Sequence, residues 1–335
     1  MKTIFKLLIM ILIVTLGYRY ITTTYPDFMQ ETKSILQKAK SDGESLVESV
    51  ETTIDSYKED TATPEKIKVD TVKKVTTLPS EYDADWVVSH DQYTNFTLKL
   101  EDEQAGYATG KGRKLLGITI GETTAEQVKS KWGTPLTSMQ LGITNYRFAD
   151  EDAKEQLIYK RDGYYIWYFI DLHNDSKVRA VKYVAVSLEN TKKQYYVTPS
   201  DAWRNGEEKL MVLLMNQSRV AAGLQPLIYD KGLTEETRAH SQEMADKHYF
   251  SHTGFNGSQP QDRMKAAGYT NERLYAENLA YGQVSTIFAH EGLMNSLGHR
   301  ENILRKEATH VGVGIAYDTE NKPYYTINFY TPMTN

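Results

Sequence analysis

His310-Val-Gly-Val-Gly-Ile-Ala-Tyr317 is the stretch on which the fold turns. Successive strand side chains point to opposite faces, so Val311, Val313, Ile315 and Tyr317 share one side. Gly312 and Gly314 leave the other side bare, which predicts that another backbone approaches closely there. Asp318-Thr-Glu-Asn-Lys-Pro323 then turns the chain, and residues 324–330 return with Tyr325, Ile327 and Phe329 on one face.

Working upstream from this hairpin, the pattern becomes helical. Residues 207–222 read as a helix with Leu210, Leu213, Leu214 and Met215 inward, stopped by Gly223 with Pro226 beyond. Residues 230–248 read as a second helix, with Leu233, Thr237, His240, Met244 and His248 along one stripe. Ser258 is placed to cap a third, ending at Gly268. Residues 284–297 form a fourth, and 302–304 add a helical turn. Helices around a hairpin make residues 205–333 an α–β–α sandwich, and the chain as a whole α+β.

Residues 79–200 read differently. Leu115-Leu-Gly-Ile-Thr-Ile-Gly-Glu-Thr-Thr-Ala-Glu-Gln-Val-Lys-Ser-Lys-Trp-Gly-Thr-Pro135 is a strand, a helix capped by Thr123 or Thr124, and a stop at Gly133 and Pro135. Strand-like runs follow at 144–148, 156–159, 164–172 and 178–186, separated by turn residues. A small α+β domain with an antiparallel meander is expected, and the Tyr-rich run at 164–170 reads as a core strand. Residues 195–205 read as a connector.

The N-terminus is the least globular part. Lys2 and Lys6 precede the apolar run 7–17, the grammar of an export signal. No clear small-residue cleavage site follows, so residues 1–24 read as a signal-anchor, with a cleaved signal peptide as the alternative. Residues 25–78 are polar and Thr-, Lys- and Glu-rich, a helical stalk or linker. The chain has 335 residues and no cysteine. Disulfides, thiolate metal sites and a cysteine nucleophile are thereby excluded. Eukaryotic secreted domains usually carry disulfides, so a cysteine-free exported chain fits a bacterial envelope of Gram-positive type. A net charge of -5 with no basic block argues against nucleic acid as a partner.

Chemistry must therefore come from the other polar side chains. Six of the eight histidines, His240, His248, His252, His290, His299 and His310, fall near the C-terminal end. Standard signatures fail. His290-Glu291 opens a zinc-protease motif, but Met294 stands where its second histidine belongs, and this region has no Gly-x-Ser-x-Gly elbow.

An ordered set of short motifs remains: Asn216-Gln-Ser-Arg219, Gly223-Leu-Gln-Pro-Leu227, Ser241-Gln-Glu-Met-Ala245, Phe250-Ser-His252, Ala276-Glu-Asn-Leu-Ala280, Met294-Asn-Ser-Leu-Gly-His-Arg300 and Asn302-Ile-Leu304. In this order the set resembles the bacterial branch of the CAP superfamily (cysteine-rich secretory proteins, antigen 5, pathogenesis-related 1). Gly121-Glu-Thr-Thr124 and Trp132-Gly-Thr-Pro135 resemble the CAP-associated N-terminal domain. The resemblance implies a CAP fold with a cleft in which two histidines and two acidic residues hold a divalent metal such as zinc in many members. It carries His252, Glu277 and His299 onto that cleft as metal ligands. The second acidic position falls near Ser296, and Glu291 is the substitute considered for it.

Three functions compete. One is an exported, membrane-tethered envelope protein whose CAP cleft, around His252, Glu277, His299 and Glu291, binds a lipid, glycan or protein without catalysis. Another is a metal-dependent hydrolase using the same residues. The third is a structural adaptor that binds a partner protein through residues 80–200. The first is favoured, because no nucleophile is identifiable.

Overall fold

The computed structural model describes residues 73–141, 144–149 and 152–333. The apolar N-terminal run and the stalk as far as residue 72 lie outside the described residues. Among the described residues no helix is long and apolar enough to cross a membrane.

The bare face of the glycine strand is where a helix lands. Strand β14 (His310–Tyr317) pairs antiparallel with β15 (Pro323–Pro332), and β13 (Glu272–Tyr281) and the short parallel β12 (Ile228–Tyr229) complete a sheet in the order β12-β14-β15-β13. Helix α5 (Lys231–Lys247), capped by Asp230, lies against this face. A Cβ built on Gly314 would stand 2.0 Å from the backbone nitrogen of Arg238. One on Gly312 would stand 2.5 Å from the carbonyl carbon of Leu233. Ser241 Oγ donates to Gly314 O at 2.9 Å across the same contact.

Val311, Val313 and Ile315 face the other way. With Tyr325, Ile327 and Phe329 they bury Met211, Val212 and Met215 of α4 (Asp201–Ala221), Leu293 and Met294 of α7 (Thr286–Asn295) and Ile303 of α8 (Leu297–Ile303). This is the expected α–β–α sandwich. Asn216 and Arg219 are wholly structural. Asn216 exchanges two hydrogen bonds with Leu227, and Arg219 donates to the carbonyls of Gln225, Ile303, Arg305 and Ala308.

The preceding domain is a seven-stranded antiparallel sheet. Its strands are β1 (Lys73–Pro79), β2 (Asp85–Asp91), β3 (Thr94–Lys99), β4 (Ala105–Thr109), β9 (Gln156–Arg161), β10 (Tyr164–Asp171) and β11 (Lys177–Ala185), in the order β1-β2-β3-β4-β11-β10-β9. Two small hairpins, β5 (Lys114–Leu115) with β6 (Ile118–Thr119) and β7 (Ser138–Leu141) with β8 (Thr144–Arg147), stand outside it. Helix α1 (Ala125–Trp132) begins at Thr124 in a capping box with Gln127 and covers one face through Ala125 and Val128. Short helices α2 (Asp152–Glu155) and α3 (Val186–Glu189) flank the last strands. The Tyr-rich strand β10 is buried on both sides. Ile166, Tyr168 and Ile170 face α1, and Tyr165, Trp167 and Phe169 face away from it.

What covers that second face is the C-terminal domain. Leu210, Leu213 and Leu214 of α4 and Ile287 of α7 share one core with Trp86, Val88, Phe96, Leu98, Trp167 and Phe169. The two domains are therefore not beads on a connector.

Several boundaries differ from the sequence reading. Residues 73–78, assigned there to the stalk, form most of β1, an edge strand paired with β2. The connector at 195–205 is in part the start of α4, which Ser200 caps through the Trp203 amide. The third helix is α6 (Pro260–Ala266), capped by a Gln259–Asp262 box rather than by Ser258. The turn at 302–304 belongs to α8, and β13 was not anticipated.

Gly314→Ala tests the glycine contact. Its methyl would meet backbone, which cannot swing aside as a flexible side chain can. A loss of about 1–3 kcal/mol or more is expected in denaturant unfolding. Wild-type stability in this variant would show that the helix does not rest on the strand.

Candidate functional site: the CAP cleft

Three elements bring the cleft together. After α5, His248 takes a left-handed conformation (φ 54°) and turns the chain into the loop that carries His252. Buried His240 fixes this loop, its Nε2 lying 3.1 Å from Ser251 O. Burial holds the His240 pKa below the usual histidine value. Strand β13 supplies Glu277, and α8 supplies His299. Asn278, next to Glu277, donates to the backbone carbonyl of His299 at 2.9 Å and accepts from Asn302. It thereby pins α8 to β13.

The carboxylate of Glu277 is fully engaged. Oε1 is 2.8 Å from His252 Nδ1, and Oε2 accepts from Arg263 Nη2 at 2.7 Å. An ionised carboxylate only accepts, so Nδ1 is the donor in this pair. The His252 side chain is 52% exposed, whereas that of Glu277 is 2% exposed. Arg263, on α6, also donates to the carbonyls of His252 and Ser258. Its Nε stands 3.4 Å from Glu236 Oε1, an ion pair without hydrogen-bond alignment. Glu236 is buried on α5 and accepts from Asn328 at 2.7 Å. Burial pushes its pKa up to about 7. His299 is held below the usual histidine range by burial and by the neighbouring His252, which favours its neutral form.

The cleft thus offers two imidazoles, one of them oriented by a carboxylate. Among the described residues it does not bring a full set of protein ligands for zinc together. A protein-held zinc takes three or four ligands. Glu277 is committed to His252 and Arg263, and among the described residues no three His, Asp or Glu side chains converge in metal-holding geometry. The guanidinium of Arg263 stands between the cleft's two acids, Glu277 and Glu236.

Glu291 does not belong to the cleft at all. It lies on the face of α7 that meets the N-terminal domain, where Tyr107 donates to Oε1 at 2.7 Å and Arg179 to Oε2 at 2.9 Å. Burial works against the charge, but the Arg179 guanidinium outweighs it and holds the carboxyl far below the usual range. The neighbouring His290 completes this clamp between Arg179 and Ser218. Arg179 can only donate, so Nδ1 of His290 accepts and Nε2–H points to Ser218. Substitution by Glu291 for the missing second acid is therefore corrected: one turn of helix separates it in sequence, but it faces the other domain. Sequence reasoning also missed Arg263 and Glu236, whose pairing with the cleft depends on chain segments that only the fold brings together.

Residues 212–329 match the cysteine-rich secretory protein family, CAP, and residues 62–195 match the CAP-associated N-terminal domain. The chain carries a CAP domain preceded by a CAP-associated N-terminal domain. The "Uncharacterized membrane protein YlbC" of Bacillus subtilis is 28% identical over 75% of this CAP protein and 76% of its own length. The "Uncharacterized protein YkwD" of the same organism is 43% identical over 107 residues, which span 41% of that relative. Among solved structures, an extracellular protein containing an SCP domain from Bacillus anthracis superposes with a TM-score of 0.65 at 24% identity, covering 76% of this chain and 88% of its own. A cysteine-rich secretory protein from Staphylococcus aureus gives 0.55 at 17% identity, covering 83% and 89%. The two structural likenesses extend over both domains and concern the fold.

Zinc analysis checks the reading of the cleft. After dialysis against zinc and removal of the unbound ion, the purified full chain should hold far less than one zinc per chain, and His252→Ala and His299→Ala should change nothing. One tightly held zinc, lost in both variants, would contradict it.

Proposed function

We propose that this CAP protein is an exported envelope protein, tethered by its N-terminal apolar segment, whose CAP cleft binds a ligand without catalysing its turnover. The observation that carries this reading is the commitment of Glu277. With one oxygen on His252 and the other on Arg263, it orients an imidazole rather than serving as a free base. What the cleft presents outward is the His252 edge beside His299, with the exposed rings of Phe250 and Phe255 on the same loop. A polar imidazole edge flanked by exposed aromatic surface is the make-up of a recognition site. A lipid headgroup, a glycan or a protein segment each fits that description. The names of the Bacillus relatives, one membrane and one extracellular, support an extracytoplasmic location.

Reading the N-terminal domain as a separable adaptor finds less support, because its sheet shares a core with α4 and α7.

A ligand screen with the purified full chain tests the proposal, using lipid vesicles, glycan fragments and envelope proteins beside His252→Ala. Binding by the wild type, weakened about tenfold in the variant as one lost hydrogen bond to the imidazole requires, is expected. A wild type that binds nothing in the screen yet hydrolyses a peptide or ester would overturn it.

A further inference from the structure

A separate cavity of about 260 Å³ lies where the two domains meet, away from the His252–Glu277 pair. It is close to the lower end of the range for small-molecule sites, roughly 300–1,000 Å³, and suits a single ring rather than a long chain. Its floor is aromatic. Phe288 of α7 meets Trp167 and Phe169 of β10 edge to face, at ring separations of 6.1 and 5.5 Å. Tyr195 and Tyr281, 37% and 38% exposed, stand at the lining's outer end, and Tyr195 stacks on Tyr146 at 4.6 Å.

Most of the lining's charged groups are already paired within the protein. Lys182, buried beneath Trp167, pairs with Glu81 at 3.2 Å. Glu189 pairs with Lys192, and Glu291 with Arg179. An anionic or cationic ligand would find its counter-charges already taken. A purely apolar ligand would lie against these ion pairs and against two amides. Those amides are the distinctive feature. The side-chain oxygens of Gln156 and Gln283 are buried and accept no hydrogen bond from the protein, and both residues line the cavity. A buried acceptor left unmatched costs about 1–3 kcal/mol. The terminal torsion of a glutamine is soft, so each amide can turn toward an incoming donor.

We propose that this interdomain cavity binds a neutral saccharide, whose C–H faces lie on the aromatic walls and whose hydroxyl or N-acetyl N–H groups donate to Gln156 and Gln283. Flat aromatic faces match the apolar faces of a sugar ring, and amide acceptors match its donors. The site needs both domains, since Trp167, Phe169 and Gln156 come from one and Gln283 and Phe288 from the other. It does not require the CAP cleft to bind anything.

The test is titration of the full chain with N-acetylglucosamine and, separately, glucose, followed by saturation-transfer NMR and by tryptophan fluorescence, which reports on Trp167. Tetramethylammonium and a short fatty acid are the comparison ligands. Saturable sugar binding is expected, weakened about tenfold or more in Gln283→Leu and in Tyr195→Ala, the scale of one hydrogen bond or ring contact. Unchanged melting temperatures establish that both variants are folded, and Tyr229→Ser, on the distant β12, should bind as the wild type does. Absence of sugar binding by the wild type overturns the proposal, as does preference for the ammonium or fatty acid. Binding that survives both cavity variants but is lost in His252→Ala would place the sugar in the CAP cleft and likewise overturn it.

Discussion

Helix α4 has no solvent face along most of its length, and the rest of the structure is arranged around that constraint. Ten consecutive residues, from Leu210 to Arg219, are buried in it. Leu210, Leu213 and Leu214 enter the core of the N-terminal sheet, while Met211, Val212 and Met215 enter the core of the CAP sheet. A helix that is apolar on both sides must be covered on both sides. Each large apolar side chain left in water would cost about 1.5–3 kcal/mol, so a CAP domain cut free of its neighbour would carry a substantial penalty. The close approach at Gly206, where an added Cβ would stand 2.7 Å from Pro79, shows how tightly the helix is seated against β1.

Polar contacts fix the angle at which the two halves meet. Arg179 and Tyr107 reach across to Glu291, and Arg300 forks onto Asp171 at 2.9 and 3.1 Å. Asn295 joins the end of β10 through Ile170 and Leu172. Tyr107, Asp171 and Glu291 are buried, and leaving either carboxylate unpaired would be costly. The same α7–α8 segment that carries these contacts also carries His299 to the cleft. The cleft, the clamp and the interdomain cavity therefore share one scaffold. Within the cleft, the Arg263 guanidinium links Glu277 to Glu236.

Much of this was legible in the sequence, for identifiable reasons. Alternation with two glycines foretold the hairpin and a close backbone approach on its bare face. The Thr123-Thr124 pair and Gly133 marked the ends of α1, because capping is local chemistry. The motif string led to the CAP fold and to His252, Glu277 and His299, of which His252 and Glu277 are in direct contact. Glu291 misled because spacing along a helix does not say which neighbour that side of the helix will meet. The run Leu210-Met-Val-Leu-Leu-Met215 is apolar all round, a signal of two-sided burial that the one-sided reading passed over. Strand β13 hid because Ala276-Glu-Asn-Leu-Ala280 lacks β-branched residues, and its Glu and Asn are satisfied only by tertiary partners. Strand β1 hid behind its lysines and proline, which suit an edge strand but also read as linker.

Calorimetric unfolding of the full chain is the most direct test of the shared core. If α4 binds both sheets into one unit, the two domains melt together in a single transition, with equal calorimetric and van't Hoff enthalpies. Two resolved transitions, one for the CAP domain and one for the sheet that precedes it, would contradict the account.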